Sequence, residues 1–298
     1  MGITRRHFLT GFKRLFQAGV AVGAWSFGIE PGFMLRVQRY AFTPPNWTPG
    51  LKLRLVAIAD IHSGGPHMSE ARVDKVVDLA NSLGGDAHLL LGDYKATHHF
   101  VMTPVPYERT ASAFARLKSS LGTHAILGNH DWWDDPVAQK RRAGPVHAQI
   151  ALEAEGIPVY ENSGVRLEKD GHPFWLLGLA DLVALRNPGR GNFTGRDDLP
   201  KALSLVNDDA PIVLMIHEPD AFINVPPRVS VTLAGHTHGG QVRLFGYSPI
   251  VPSSYGNRFA YGHVEEEGRH LFISGGLGCS NIPVRLGVPP EIMVLDLG

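Results

Sequence analysis

Five short apolar runs in this chain each stop at a cluster of Asp, Asn or His. They are LRLVAIA (53–59) before DIHSG, AHLLL (87–91) before GDY, HAIL (124–127) before GNHD, PIVLMI (211–216) before HEPD and VSVTL (229–233) before AGHTHGG. Unbroken apolar runs of this length fit strands buried on both faces. In open α/β sheets, ligands bind beyond the carboxyl ends of the strands. Five runs therefore deliver Asp60, His62, Asp93, Asn129, His130, His217, His236 and His238 to the same kind of place. In a strand, residues i and i+2 share a side, so the pairs Asp60/His62 and His236/His238 can each point one way.

Between the early runs lie helical patterns. SEARVDKVVDLANSLG (69–84) has apolar residues at helical spacing, with Ser69 as N-cap and Gly84 as stop. YERTASAFARLKSSLG (107–122) and VHAQIALEAEG (146–156) read as further helices. Strand–helix alternation indicates a parallel α/β layer. MLRVQRYAF (34–42) reads as an outer strand. From about residue 157 the texture becomes β-rich. PVYEN, GVRLEKD, HPFWLLGLA, GQVRLFG, RFAYGHV, RHLFISGG and EIMVLDL read as strands, and RDDLPKALSLVN as a helix. Two mixed sheets packed face to face with flanking helices accommodate both halves. No composition break divides residues 31–298, which read as one domain.

Residues 1–30 stand apart. TRRHFLTGFKR places Arg5 and Arg6 before Phe8 and Leu9, and LFQAGVAVGAWSFGI follows without a charge. The apolar part is short of the roughly 20 residues that a membrane span needs. A basic segment followed by a short apolar one is the grammar of an export signal, and the paired arginines resemble a twin-arginine signal. The other reading is an amphipathic or anchoring N-terminus; no clean A-x-A site marks a cleavage point. The expected partners are the twin-arginine export machinery and a membrane, and the expected location is exported, periplasmic or envelope-associated. With 28 basic and 28 acidic residues, nothing suggests the general positive field of a nucleic-acid binder. The single cysteine, Cys279, excludes an internal disulfide and a Cys-rich zinc site, and reads as a packed small residue.

The clustered donors are nitrogen and oxygen without thiolate. Such a set suits Mn, Fe, Zn, Ni or Co. Six ligands plus a bridging carboxylate suit two divalent ions about 3.5–4 Å apart. The residual positive charge would face an anionic phosphodiester and stabilise its more negative transition state.

DIHSG, GDY, GNHD, HEPD and GHTHGGQ, in this order over residues 60–241, resemble the calcineurin-like metallophosphoesterase superfamily. The tail SGGLGCSNIPVRLGVPPEIMVLDL and the lead-in EPGFMLRVQRY resemble its exported, envelope-associated phosphodiesterase branch. The resemblance implies a four-layer α/β/β/α sandwich. It implies that Asp60, His62 and His238 hold one metal, that Asn129, His217 and His236 hold a second, and that Asp93 bridges them. It also implies that His130 contacts phosphate and protonates the leaving oxygen, with Asp131 orienting His130 or its loop. The reaction implied is in-line attack on phosphorus by a metal-bridging hydroxide. Glu218 and Asp220 are expected to cap a following helix.

The chain departs from the family's usual wording after GD, where it reads GDYKATHHFVMTPVPYE. Phe100, Val101, Met102 and Val105 there, with Phe245, Tyr247, Ile250 and Tyr255 later, are expected to line the rim of the site. That would suit a small phosphoester or a lipid-linked or nucleotide-linked substrate. His98 and His99 are expected at the surface or at substrate. The alternative functions are a metal-dependent envelope scaffold with vestigial hydrolysis and a membrane-anchored structural protein.

Overall fold

The computed structural model describes residues 5–298; the first four residues of the expected export segment, and the side chains of Arg5, Arg6 and Phe8, lie outside the described set. The helices are α1 (Arg5–Ala24), α2 (Glu30–Phe33), α3 (Glu70–Ser82), α4 (Tyr107–Phe114), α5 (Asn129–Trp133), α6 (Pro136–Arg141), α7 (His147–Ala154) and α8 (Leu199–Leu203). The strands of the first half are β1 (Arg36–Phe42), β2 (Leu53–Ile58), β3 (Ala87–Leu90) and β4 (Thr123–Ala125). Those that follow are β5 (Ser163–Lys169), β6 (His172–Gly178), β7 (Leu185–Asn187), β8 (Asn192–Thr194), β9 (Ile212–Met215), β10 (Val231–Ala234), β11 (Gly262–Glu266), β12 (Arg269–Ile273) and β13 (Glu291–Leu297).

One sheet runs β1-β13-β2-β3-β4 and the other β11-β12-β10-β9-β6-β5, with β7 and β8 as a separate hairpin. The central strands β2, β3 and β4 are parallel, as are β6, β9, β10 and β12; the antiparallel pairs are β13/β2, β5/β6 and β11/β12. Two-residue periodicity distributes the apolar runs between layers. Val56 and Ile58 of β2 face Val73, Val76 and Val77 of α3. Leu55 and Ala57 face the second sheet, meeting Phe174, Val213 and Leu233. Leu214 and Ile273 lie on the outer face of that sheet with Phe222 and Phe259. Three apolar layers thus separate four layers of secondary structure, the α/β/β/α sandwich expected.

Several elements differ from their sequence reading. The helix expected over 107–122 ends at Phe114, because Asn81 of α3 takes the Arg116 carbonyl and the Lys118 N–H (2.9 and 2.7 Å), groups a further turn would need. PVYEN contributes an isolated bridge from Val159 to Ala125 rather than a strand. GQVRLFG is a turn-rich loop held by bridges Val242–Leu286 and Leu244–Tyr247. The helix expected in RDDLPKALSLVN shrinks to α8, started by Asp198, whose carboxylate accepts from Lys201 N.

At the N-terminal end, α1 runs through a π-helical turn (Trp25–Ile29) into α2, and Ser26, Glu30 and Pro31 are buried against the body. No described helix is long and apolar enough to cross a membrane.

Candidate metal centre

Strands β2, β3, β9 and β10 end side by side, and each is followed by a sharp turn. Asp60, His62, Asp93, His236 and His238 all have positive φ, between 39° and 69°. For residues with a Cβ this left-handed region costs about 1–3 kcal/mol each and persists only where the surroundings impose it. Here it turns the side chains off the strand ends into one cavity. The neighbouring backbone is equally tight: a Cβ on Gly128 would lie 2.6 Å from the His217 ring.

The side chains converge in two groups. In the first, His62 Nε2 lies 3.2 Å from His238 Nε2, and His238 Nε2 lies 3.4 Å from Asp60 Oδ1. In the second, Asn129 Oδ1 lies 2.9 Å from His236 Nδ1 and 3.3 Å from His217 Nε2. Asp93 Oδ2 stands between them, 3.5 Å from His62 Nε2 and 3.3 Å from His217 Nε2. The structure therefore brings all seven expected ligands together, in the two sets expected, with Asp93 reaching both. The donor atoms of Asp60/His62/His238 and of Asp93/His217/His236 are each close enough to serve one ion.

Hydrogen bonds behind the ligands fix which ring nitrogens are free. His217 donates from Nδ1 to the Leu91 carbonyl (2.7 Å) and His62 from Nδ1 to the Lys95 carbonyl (3.3 Å), leaving both Nε2 lone pairs aimed inward. Asp60 accepts from the His236 N–H with both oxygens (2.9 and 3.0 Å). Without cations the charges are poorly matched. Burial, with the Asp93 carboxylate adding to it, pushes Asp60 up to about 7. Burial pushes His62 down to about 3. Burial opposes the charge of Asp93 as well, but the imidazoles of His217, His130 and His62 outweigh it and hold that carboxyl well below its usual range. A convergent set of buried carboxylates and imidazoles with inward lone pairs is a fit for divalent cations.

His130 sits above this set, its N–H donating to Asp93 Oδ1 (2.8 Å). Its Nδ1 is 3.0 Å from the Thr97 hydroxyl and its Nε2 is 3.3 Å from the Ser280 hydroxyl. Asp131 does not touch the His130 ring. Its carboxylate accepts from the N–H groups of Asp93, Tyr94 and Gly128 (2.9, 3.0 and 2.9 Å), which ties the β3 and β4 loops together. Glu218 stands at the N-cap of a short 3-10 helix (Pro219–Asn224) with Asp220 in its first turn, but neither side chain caps it. Glu218 accepts from Leu182 N (3.1 Å), and Asp220 accepts from the Ser253 hydroxyl and Ser254 N (2.5 and 2.8 Å). Burial, with the neighbouring Glu218 carboxyl adding to it, raises the buried Asp181 well above the usual carboxylate range.

Three residues at the site carried no sequence signal of their own: Thr97, Ser280 and Arg285. Arg285 is wholly buried without a carboxylate partner. It donates to the carbonyls of Gly275, Gly278 and Val288, and Nη2 is 3.2 Å from His238 Nδ1. A lone Arg inside an apolar tail was the available hint.

A pocket of about 560 Å³ opens over the centre, lined by Asp93, Asn129, His130, His236 and His238 on one side and by Val242, Ile250, Ile282 and Val284 among others on the other. Of the residues expected at the rim, Ile250 alone is part of this lining. Val105 is core, Val101 packs over Gly64, and Tyr255 packs on Phe259. Phe100 and Met102 are exposed away from the lining, and Phe245 and Tyr247 likewise. The loop after Asp93 folds back toward Gly65, Met102 N donating to its carbonyl (3.2 Å), which draws its apolar residues off the rim. His98 stays within its loop, accepting from Phe100 N (3.2 Å).

Comparison with known proteins fits this geometry. The chain is 27% identical to the uncharacterized metallophosphoesterase YkuE of Bacillus subtilis, an alignment that covers 99% of this chain and 98% of that one. It is 29% identical to a transmembrane protein with metallophosphoesterase domain from Danio rerio over 80% of this chain, and spans about half (52%) of that relative's length. Among solved structures it resembles a dimetal phosphatase from Danio rerio (TM-score 0.45, 13% identity, covering 76% of this chain and 88% of that chain). The family model described as calcineurin-like phosphoesterase matches residues 53–240, the stretch that carries all seven clustered side chains, and the chain belongs to that family.

Proposed function

We propose that the chain is an exported phosphodiesterase with two divalent transition-metal ions, Mn, Fe, Zn, Ni or Co, acting in the cell envelope on a phosphodiester or diphosphate with an apolar portion. The observation that carries the dinuclear reading is Asp93, whose carboxylate lies within 3.5 Å of a ring nitrogen from each ligand group. Asp60, His62 and His238 would hold one ion, Asn129, His217 and His236 the other, and Asp93 both. Ions held there supply Lewis acidity and lower the pKa of a water at neutral pH.

The chain's own groups do the rest. His130 faces the pocket above Asp93 and can hand a proton to a leaving oxygen through Nε2, at the position where Ser280 now hydrogen-bonds. Thr97 accepts from Nδ1–H, so a ring that gives up its Nε2 proton is left as the neutral Nδ1–H tautomer. The apolar side of the pocket, with Val242, Ile250, Ile282 and Val284, excludes water and takes an uncharged part of the substrate. A diester fits this division better than a free phosphate, because its second substituent occupies that side. Export by the twin-arginine route is supported by Arg5 and Arg6 with the charge-free stretch after them.

The test is a substrate panel on metal-reconstituted full-length chain. It compares a nitrophenyl monoester, a bis(nitrophenyl) diester and an acylated diester with the same linkage. Diester hydrolysis exceeding monoester hydrolysis by at least tenfold is expected, with a further gain for the acylated compound. Preference for the monoester would overturn the diester assignment, and one ion per fully active chain would overturn the dinuclear one.

A further inference from the structure

The segment between α1 and β1 is part of the pocket's construction. The Arg285 N–H donates to the Ser26 carbonyl (2.9 Å), and Arg72 donates to the Met34 carbonyl (2.5 Å). The His67 ring hydrogen-bonds the Pro283 carbonyl (3.3 Å). Gly32 lies against the same ring; a Cβ there would sit 3.4 Å from His67 Nδ1. Residues 25–34 therefore buttress the 279–286 loop from one flank, while Ser280, Ile282 and Val284 of that loop line the pocket on the other. Gln241 stitches the same loop to the 240s, accepting from Ser280 N (2.6 Å) and donating to the Ile282 carbonyl (3.1 Å).

Upstream of this brace, Arg5–Ala24 contains Arg5, Arg6, Lys13 and Arg14 and no acidic residue. Phe12, Leu15 and Phe16 are 64%, 75% and 66% exposed. Large apolar side chains are exposed as well at Phe27 and Phe33 of the brace and at Ile282 and Ile250 of the pocket lining. A basic helix with large exposed apolar residues is the composition of an element that lies in a lipid interface, and exposed apolar surface on this scale marks an interaction site.

We propose that α1 and the exposed apolar side chains of the brace and of the 240s and 280s loops form one docking surface for an anionic lipid bilayer, and that residues 25–34 remain with the folded enzyme. The lipid is favoured over a protein partner by charge, since every ionisable group in 5–24 other than His7 is a cation. Because Ile250 and Ile282 are both exposed and part of the lining, docking sets the pocket mouth at the membrane. For that last point the inference rests on the phosphoesterase reading of the pocket; the binding itself does not.

The experiment is flotation of the full-length chain with vesicles of phosphatidylglycerol and phosphatidylethanolamine or of phosphatidylcholine alone, at low and high salt. It is paired with mass determination of the chain isolated from cells. Expected are at least tenfold tighter binding to the anionic vesicles and a comparable loss in high salt or in Lys13→Glu with Arg14→Glu. Phe245→Ser with Tyr247→Ser should give a loss of a few-fold. None of these changes should alter hydrolysis of a soluble diester, because none of the four side chains touches the centre. The mature chain should retain α1 and residues 25–34. Equal binding to both vesicle types, a lipid-free oligomer that does not float, or a mature chain that lacks α1 would overturn the proposal. Flotation without phosphoester hydrolysis would instead sink the functional reading and leave the docking surface standing.

Discussion

Asp60, His62, Asp93, His217 and His238 are each 2% exposed or less, whereas Ile250 and Ile282 in the same pocket are 79% and 48% exposed. The first set hangs from strand ends, at strained φ in all but His217, with hydrogen bonds behind several members. The second set sits on loops held to each other by Gln241 and a few backbone bonds. The difference separates two tasks. Ion ligands must hold position to a fraction of an ångström, because displacement is lost binding and lost catalysis. A surface that receives an apolar group needs area and accessibility more than fixed geometry. The floor should therefore be intolerant and indifferent to substrate, and the wall tolerant and selective.

Asp93→Asn tests the floor most severely. A neutral amide is a poor bridge between cations, so both ions should weaken and activity should fall to background, followed by metal content after dialysis and by kcat. Asp60→Asn should weaken one ion. If Asp93→Asn keeps two tightly bound ions, the floor is not the shared site described.

His130→Gln should keep the metals and lower kcat/KM about 10²–10⁴-fold, the usual range for a lost general acid. The loss should shrink for a nitrophenolate leaving group, which needs no proton. Equal losses for good and poor leaving groups would move His130 out of the acid role and into binding.

Arg285→Gln probes a support rather than a ligand. It should weaken the ion that Asp60, His62 and His238 would hold by about tenfold or more, because it frees the Gly275 and Gly278 carbonyls of the turn packed on Asp60 and His62. The ion at Asn129/His217/His236 should be spared. Equal weakening of both ions, read by titration, would show that Arg285 acts through the fold at large.

Asp181→Asn should change stability rather than chemistry. Above about pH 4 the unfolded chain ionises Asp181, whereas its raised value in the folded chain keeps the proton to higher pH. Folding thus takes up a proton, and this group's contribution falls as pH rises from there toward its raised folded value. The amide removes that dependence. The variant should gain on the parent by up to about 1.4 kcal/mol per pH unit above pH 4, checked by urea unfolding at several pH values. A constant difference across pH would show that Asp181 titrates alike in the folded and unfolded chains.

The smallest effect belongs to the wall. Ile250→Ser with Ile282→Ser should change kcat/KM for a soluble diester less than about threefold, while an acylated diester loses tenfold or more. Equal losses would mean that the wall is structural like the floor.

This contrast also explains what could be read in advance. The clustering of the seven side chains was legible because each follows a buried run, and strands of one layer end on one side. The two sheets were legible from the same runs. The wall was not. Phe100 and Met102 follow Asp93 closely, yet the return of their loop to Gly65 carries them away, and no local pattern encodes that path. GQVRLFG alternates like a strand, but its N–H and C=O groups are met by Leu286, Tyr247 and the Gly240 turn instead of by a neighbouring strand. Thr97, Ser280 and Arg285 are single polar residues in loops, and their meaning comes from partners 33 to 150 positions away.

Strand β13 lies between β1 and β2 in the first sheet, and its first residue, Glu291, accepts from Gly275 N, Arg36 and Tyr261. Gly276 and Gly278, just upstream, lie against Asp60 and His62. The floor is therefore walled in by residues made more than 200 positions after its first ligand. At about 5–20 residues per second of synthesis, the growing polypeptide carries Asp60, His62 and Asp93 for ten seconds or more before their enclosure exists. Throughout that interval these side chains lack the wall that encloses them in the folded chain. With metal held as proposed, the order in which the ribosome delivers this chain makes selection of the ion a task for the finished product.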